Sequence, residues 1–340
     1  MPKPTTPIDQ LREAIDQAKT ILVLQPDSPD ADSLGSALGL EEILGELGKR
    51  VVMYSYKEPE PYLRTMEGWD RVSQDFPKDF DLVILVDTGS PALIKSAIEH
   101  HYGPMTAKPF FIIDHHVVRT EFGFVTTEIV EPACAAAEVI ASIALDSNWT
   151  INAAAASKLA TALLADSLNL TTPESSERSV RMLAELVKRG ANLYELYKQK
   201  RTASALTPDL VHLKGRLLTS VEFHLDGRLA IAEITPDVVD RYKDIHEPYT
   251  LILSDMQWAK GVELVAVFKN YGTKINVPLR STMGYAGPIA TEMGGGGHDN
   301  AAAYRCKTVM IQDEKQFLIE TFAKFKEQAH ASIQHADPQD

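Results

Sequence analysis

Cysteine is nearly absent: Cys134 and Cys306 are the two in 340 residues. Neither sits in a metal or redox spacing, which argues for a reduced, cytoplasmic setting. Long apolar runs are missing too. None approaches the roughly 20 residues that a bilayer requires, and the opening MPKPTTPIDQLREAIDQ holds no apolar signal core. No membrane partner is expected. Positive charge is short: 34 Lys and Arg stand against 47 Asp and Glu, for a formal net charge of -13. With its basic residues scattered, the chain is a poor partner for long duplex nucleic acid. A short anion in one local pocket remains compatible, because pocket charge and global charge differ. What is present is ordinary for a globular core, 44% hydrophobic and 24% charged. The length suits two domains of very roughly 150 residues each.

Along the first half, short β-branched runs alternate with helical patterns. ILVLQ (21–25), RVVMYSY (50–56), DLVILVD (81–87) and PFFIID (109–114) are predicted as buried strands. Helical patterns cover 33–48 and 91–101, then about 134–146, 151–165, 176–189 and 192–204. This alternation implies an α/β domain with a parallel, doubly wound sheet over 1–204. A linker follows over 205–215, and a smaller mixed α/β domain over 216–335. That second domain begins with a hairpin around a DG turn in LLTSVEFHLDGRLAIAEI. LILSDMQ, VELVAVFKN and KINVPLR are predicted as three further strands. A final amphipathic helix spans 313–333, and the tail HADPQD is expected to fray.

Ligands of α/β sheets gather at the carboxyl ends of strands, and the chemistry-bearing residues fall there. Asp30 and Asp32 follow the first run, and Asp87 ends the third. Asp114, His115 and His116 close the fourth, and Asp166 lies where a helix breaks toward a TTP turn. One strand-end aspartate is most often a turn former or a helix cap. Several arriving together point to a shared centre for divalent cations. Carboxylate-plus-imidazole sites suit Mn²⁺, Mg²⁺, Fe²⁺ or Zn²⁺. Two such ions, about 3.5–4 Å apart, share a carboxylate and activate a water between them against phosphorus. Asp87 is the natural bridge. A second feature is MGGGGHDNAAAYR (293–305), where Gly294, Gly295, Gly296 and Gly297 open backbone amides to an anion. His298 is predicted to begin an alanine-rich helix whose N-terminus favours phosphate. Arg280 ends a strand and could give a bidentate phosphate contact.

Taken in order, these motifs resemble the DHH phosphoesterase family, specifically members with a DHHA1 domain. The resemblance rests on Asp114-His115-His116, PDAD (29–32), VDTGS (86–90) and LLADSLNLTTP, with LRS (279–281) and GGGGHDNAAA (294–303) for DHHA1. It implies a DHH metal-binding catalytic domain followed by a DHHA1 substrate-binding domain. Asp32, Asp87, His115 and Asp166 would ligate one ion, usually manganese, and Asp30 with Asp87 a second. His116 would contact the scissile phosphate, oriented by Asp114. Arg280, Ser281, the glycine loop and His298 would grip the rest of the substrate. Such relatives hydrolyse short oligoribonucleotides, linear or cyclic dinucleotides, or 3′-phosphoadenosine 5′-phosphate, and often dimerise. One departure stands out: the family's first motif begins with a ligating histidine, and Pro26 occupies that position here. Gln25 and Asp27 flank it, and Asp27 is the better replacement because a carboxylate binds hard cations more strongly. The alternative function is an impaired nucleotide-binding regulator with an incomplete first metal site. A RecJ-like nuclease for long single strands fits less well, since no additional basic or aromatic stacking domain is present.

Overall fold

The computed structural model describes residues 6–117, 119–124, 126–203, 205–242 and 247–334. The chain divides into two compact units, Met1–Ala205 and Leu206–Asp340. No described helix is long and apolar enough to cross a membrane.

The first unit opens with α1 (Pro7–Gln17) and β1 (Thr20–Leu24), then α2 (Ala31–Glu46), β2 (Arg50–Tyr54), β3 (Val72–Ser73) and β4 (Leu82–Val86). A 3-10 turn at Pro91–Ile94 precedes α3 (Lys95–Thr106), β5 (Phe110–Asp114) and β6 (Thr127–Val130). Then α4 (Ala136–Asp146), α5 (Ala153–Asp166), α6 (Glu177–Lys188) and α7 (Leu193–Ala203) follow. All strand pairings are parallel, in the order β3-β2-β1-β4-β5-β6. The order reverses between β1 and β4, where doubly wound sheets leave a crevice at the strand ends. β4 is buried at every residue, as a strand covered on both faces must be. The two faces feed separate cores. Ile21, Val23, Ile84 and Ile113 pack with α2, α4 and α5. Leu22, Leu24, Leu85 and Ile112 pack on the opposite side, with α3.

Close helix packing positions the functional end. α2 lies on α5 through Gly35 and Gly39. A Cβ at Gly35 would stand 2.8 Å from the Ala162 Cβ, and one at Gly39 2.6 Å from the Leu159 side chain. This contact brings the start of α2 and the end of α5 to one edge of the sheet.

The second unit contains α8 (Pro208–Thr219), β7 (Glu222–His224), β8 (Leu229–Ile234), α9 (Pro236–Tyr242) and α10 (Thr250–Trp258). β9 (Leu264–Asn270), β10 (Ile275–Ser281), α11 (Ala286–Glu292), β11 (Gly296–Gly297), β12 (Ala301–Arg305) and α12 (Ile311–Gln334) complete it. Its sheet runs β11-β12-β10-β9-β8-β7. The β8–β9 pair is parallel and the others antiparallel. The expected hairpin is β7–β8.

Two sequence expectations are corrected. LILSDMQ is helical, within α10 (Thr250–Trp258), not a strand. Leu251, Ile252 and Met256 are its buried side chains, a helical spacing that a short apolar run does not reveal by itself. The alanine-rich segment after His298 is strand β12, not a helix. Its Ala302 and Tyr304 are buried while Ala303 and Arg305 are exposed, the period-two pattern of a strand. Pairing with β10 over five registered residues outweighs the helical preference of alanine. The tail HADPQD lies outside the described residues.

The glycine tract has a packing reason of its own. A Cβ at Gly295 would meet the Ala303 carbonyl oxygen at 2.2 Å and the Tyr304 Cα at 2.6 Å. Gly295→Ala is therefore expected to destabilise the second unit by about 1–3 kcal/mol, the usual cost of overpacking. Urea unfolding followed by circular dichroism checks this; an unchanged midpoint would mean that the strand pair yields freely.

Candidate metal centre

Each cluster side chain owes its place to a local structural cause. Asp32 sits in the first turn of α2 and is 1% exposed. Helix α4 starts at Ala135, which has no side chain able to cap it. Asp32 does that job from across the core: Oδ2 accepts from the Ala136 amide at 2.6 Å and Oδ1 from the Ala137 amide at 3.2 Å. The Ser36 hydroxyl donates to Oδ1 at 3.0 Å. A helix N-terminus favours the charged carboxylate. Burial, Asp87 and Asp166 together overcome that and raise its pKa well above the usual range.

Asp87 follows β4 in a left-handed conformation, φ 54°. Its amide still donates to the Ile113 carbonyl at 2.9 Å. The chain thus turns sharply at the crevice with the carboxylate at its rim, 6% exposed. Burial first, and then Asp30, raise its pKa. His115 donates Nδ1–H to the Ala133 carbonyl at 3.1 Å, which fixes the ring and directs Nε2 at the acids. Nε2 lies 3.5 Å from Asp87 Oδ1, 3.5 Å from Asp166 Oδ2 and 3.8 Å from Asp32 Oδ2. Burial opposes a charge on His115, but Asp87 and Asp32 outweigh it and lift the pKa to about 10. Asp166 ends α5, its pKa pushed up to about 6 by burial first. Behind it Leu168, Asn169 and Leu170 are all left-handed, which stops the helix abruptly.

His116 donates Nδ1–H to Asp114 Oδ1 at 2.7 Å, and this bond is the main reason its pKa is raised. Asp114 is fully buried. Burial pushes its pKa up, but His116 and Arg119 reverse the balance and leave it lowered. Arg119 Nε stands 3.3 Å from Asp114 Oδ2. Donor atoms fall into two groups within 4.8 Å: Asp32, His115 and Asp166, and Asp87, Asp114, His115 and His116.

Two of the candidates lie outside those groups. Asp30 is the N-cap of α2, with Oδ1 accepting from the Ser33 amide at 2.9 Å. Its charge still bears on Asp87 and Asp166. Asp27 is tied to the first turn of α3, Oδ2 accepting from the Ser96 amide at 2.8 Å. Its Oδ1 is buried without a hydrogen-bond partner, and so are both side-chain amide atoms of Gln25, two residues earlier. The Gln25 amide donates to the Tyr54 carbonyl and so continues β1. Strand alternation sets its side chain on the face of Ile21 and Val23, the face that α2 covers. Sequence reasoning missed Arg119 and the α4 amides. A basic residue three positions after His116 was the available signal for the first; the second is a contact 104 residues apart.

In the second unit, Arg280 pairs with Ala301 across the sheet, and Arg280 Nη1 donates to the Leu279 carbonyl at 2.9 Å. The Ser281 hydroxyl is engaged structurally, donating to the Glu263 carbonyl and accepting from the Met283 and Tyr285 amides. His298 is exposed and opens the turn between β11 and β12, its amide donating to the Ala301 carbonyl at 2.9 Å. No helix N-terminus stands at this position.

A parallel α/β sheet with acids and imidazoles at its reversal defines the class, and comparison with known proteins agrees. Residues 20–188 match the DHH family, N-terminal domain, so the first unit carries that family's domain. The chain is 28% identical over 302 residues to the bifunctional oligoribonuclease and PAP phosphatase NrnA of Thermus thermophilus, covering 86% of each chain. It is 24% identical to the Bacillus subtilis protein of the same name, covering 86% of this chain and 91% of that one. In fold it matches the crystal structure of an exopolyphosphatase-related protein from Bacteroides fragilis. There the TM-score is 0.81 at 19% identity, over 95% of this chain and 96% of the other.

Proposed function

We propose that the chain is a divalent-metal-dependent phosphoesterase acting on short oligoribonucleotides, dinucleotides or related small nucleotides such as 3′-phosphoadenosine 5′-phosphate. The observation that carries this is the convergence of Asp32, Asp87 and Asp166 within 3.8 Å of one nitrogen of His115. Three acids crowded around one imidazole, each with its pKa raised by burial first and then by neighbouring carboxylates, are a donor set that a divalent cation would relieve. The residues fit the ions. Divalent cations, manganese in our reading, would activate water and offset charge on the phosphoryl oxygens.

Asp32, Asp87, His115 and Asp166 would hold one ion, and Asp30 with Asp87 a second. Gln25 Oε1 and Asp27 Oδ1 are both buried and without a hydrogen-bond partner, so each offers an oxygen in place of the absent histidine. His116, whose charged form the Asp114 hydrogen bond favours, would lie against the non-bridging phosphate oxygens and stabilise charge that develops there. Asp114 acts as a positioning residue, held in turn by Arg119. Arg280, the glycine loop and exposed His298 would contact the rest of the substrate in the second unit. A cytoplasmic homodimer completes the reading, consistent with two free cysteines. The regulator alternative is not favoured, since the relatives are named as hydrolases.

The test is a panel of dinucleotide, tri- to pentaribonucleotide, cyclic dinucleotide and phosphoadenosine phosphate, run with metal analysis of purified protein. Release of mononucleotide or orthophosphate with manganese, and none after chelation, is expected. Saturable binding without product under every metal would overturn the assignment.

A further inference from the structure

A cavity of about 320 Å³ opens in the first unit between the 3-10 turn at Leu63–Thr65, helix α5 and helix α7. Its size is at the lower end of small-ligand sites. Two lining residues are next in sequence to cluster residues: Ala31 stands between Asp30 and Asp32, and Ala165 directly precedes Asp166. Tyr62 lies on one side, its hydroxyl pKa raised by burial first and then by the Asp30 carboxylate. Tyr197 lies on α7 and is 61% exposed. Leu164 adds an apolar wall, while Asn169, Gln199 and Lys200 bring amides and one positive charge to the lining.

We propose that this cavity is a nucleobase subsite, taking the base of the nucleotide whose phosphate occupies the adjoining metal centre. This rests on the phosphoesterase reading of that centre. The chemistry is what a base requires: flat apolar and aromatic surface for its π-face, and amides able to meet its donor and acceptor edge. An aliphatic ligand would leave the Asn169 and Gln199 amides unused, and a polyphosphate would find too little positive charge.

The experiment compares a 5′-labelled diadenylate with two analogues, each lacking the base at one of its two positions, under manganese. For the native protein, removing the base that occupies the subsite is expected to raise KM about tenfold, while removing the other base has a smaller effect. In Tyr197→Ala the intact-to-abasic KM ratio is expected to collapse toward one. Tyr197 is mostly exposed, so the variant should fold; Thr161→Phe, which fills the cavity from α5, should give the same collapse by a different route. Circular dichroism checks both. If both variants keep the native ratio, the subsite is wrong although the enzyme is real. A change of oligomeric state in Tyr197→Ala with an unchanged ratio would overturn it too, marking the cavity as a seat for a second copy. Absence of turnover on every dinucleotide would instead sink the parent reading, and the subsite with it.

Discussion

Asp87→Asn and Asp87→Ala are each expected to lower kcat by two to three orders of magnitude, the usual loss for one preorganised electrostatic group. Asp87 is the acid that faces both imidazoles, with Oδ1 3.5 Å from His115 Nε2 and 3.8 Å from His116 Nδ1. No other carboxylate among the described residues takes both contacts. The two substitutions separate chemistry from folding. Asparagine tolerates the left-handed backbone at φ 54° better than alanine does, so Asp87→Asn should retain nearly native stability while losing turnover. Steady-state kinetics and bound-metal content together decide the matter. A variant keeping more than about a tenth of the native rate would have lost under about 1.4 kcal/mol, and Asp87 would then not be the shared ligand.

Divalent-metal removal is expected to have the second largest effect, on stability. Without a cation, Asp32, Asp87 and Asp166 are crowded acids, and burial is the first cause of each raised pKa. An ion that binds only the folded chain at about 1,000 times its Kd stabilises it by about 4.1 kcal/mol. For a unit of this size that corresponds to a rise in Tm of roughly 8–16 °C. Thermal melts with manganese and with chelator measure the difference. Gln25→Ala should give a smaller manganese shift than the native chain, and an equal shift would exclude Gln25 as a donor. No shift in the native chain would mean that the cluster holds no cation.

Much of this centre was legible because doubly wound sheets gather their functional groups at strand ends. DLVILVD and PFFIID announced both the strands and the residues that leave them, and β4 and β5 end where the sequence indicated. Three kinds of information were not available. A short apolar run carries too little period to separate strand from helix, so LILSDMQ was read the wrong way. Alanine carries almost no burial signal, so the strand after the glycine tract was hidden until its partner β10 was known. Contacts distant in sequence left no local trace: the α4 amides on Asp32 and the idle amide of Gln25 are properties of packing.

In the proposed reading Asp32 serves two masters, and this would affect how related sequences decay. By holding the Ala136 and Ala137 amides it starts a helix that has no other cap, a service of about 0.5–2 kcal/mol at helix N-termini. A lineage released from catalysis would still be under selection to keep this aspartate for folding. Asp166, at the more open end of α5, has no comparable duty and would drift earlier. Among distant copies, survival of the first acid says little about activity, whereas loss of the last one is the informative sign.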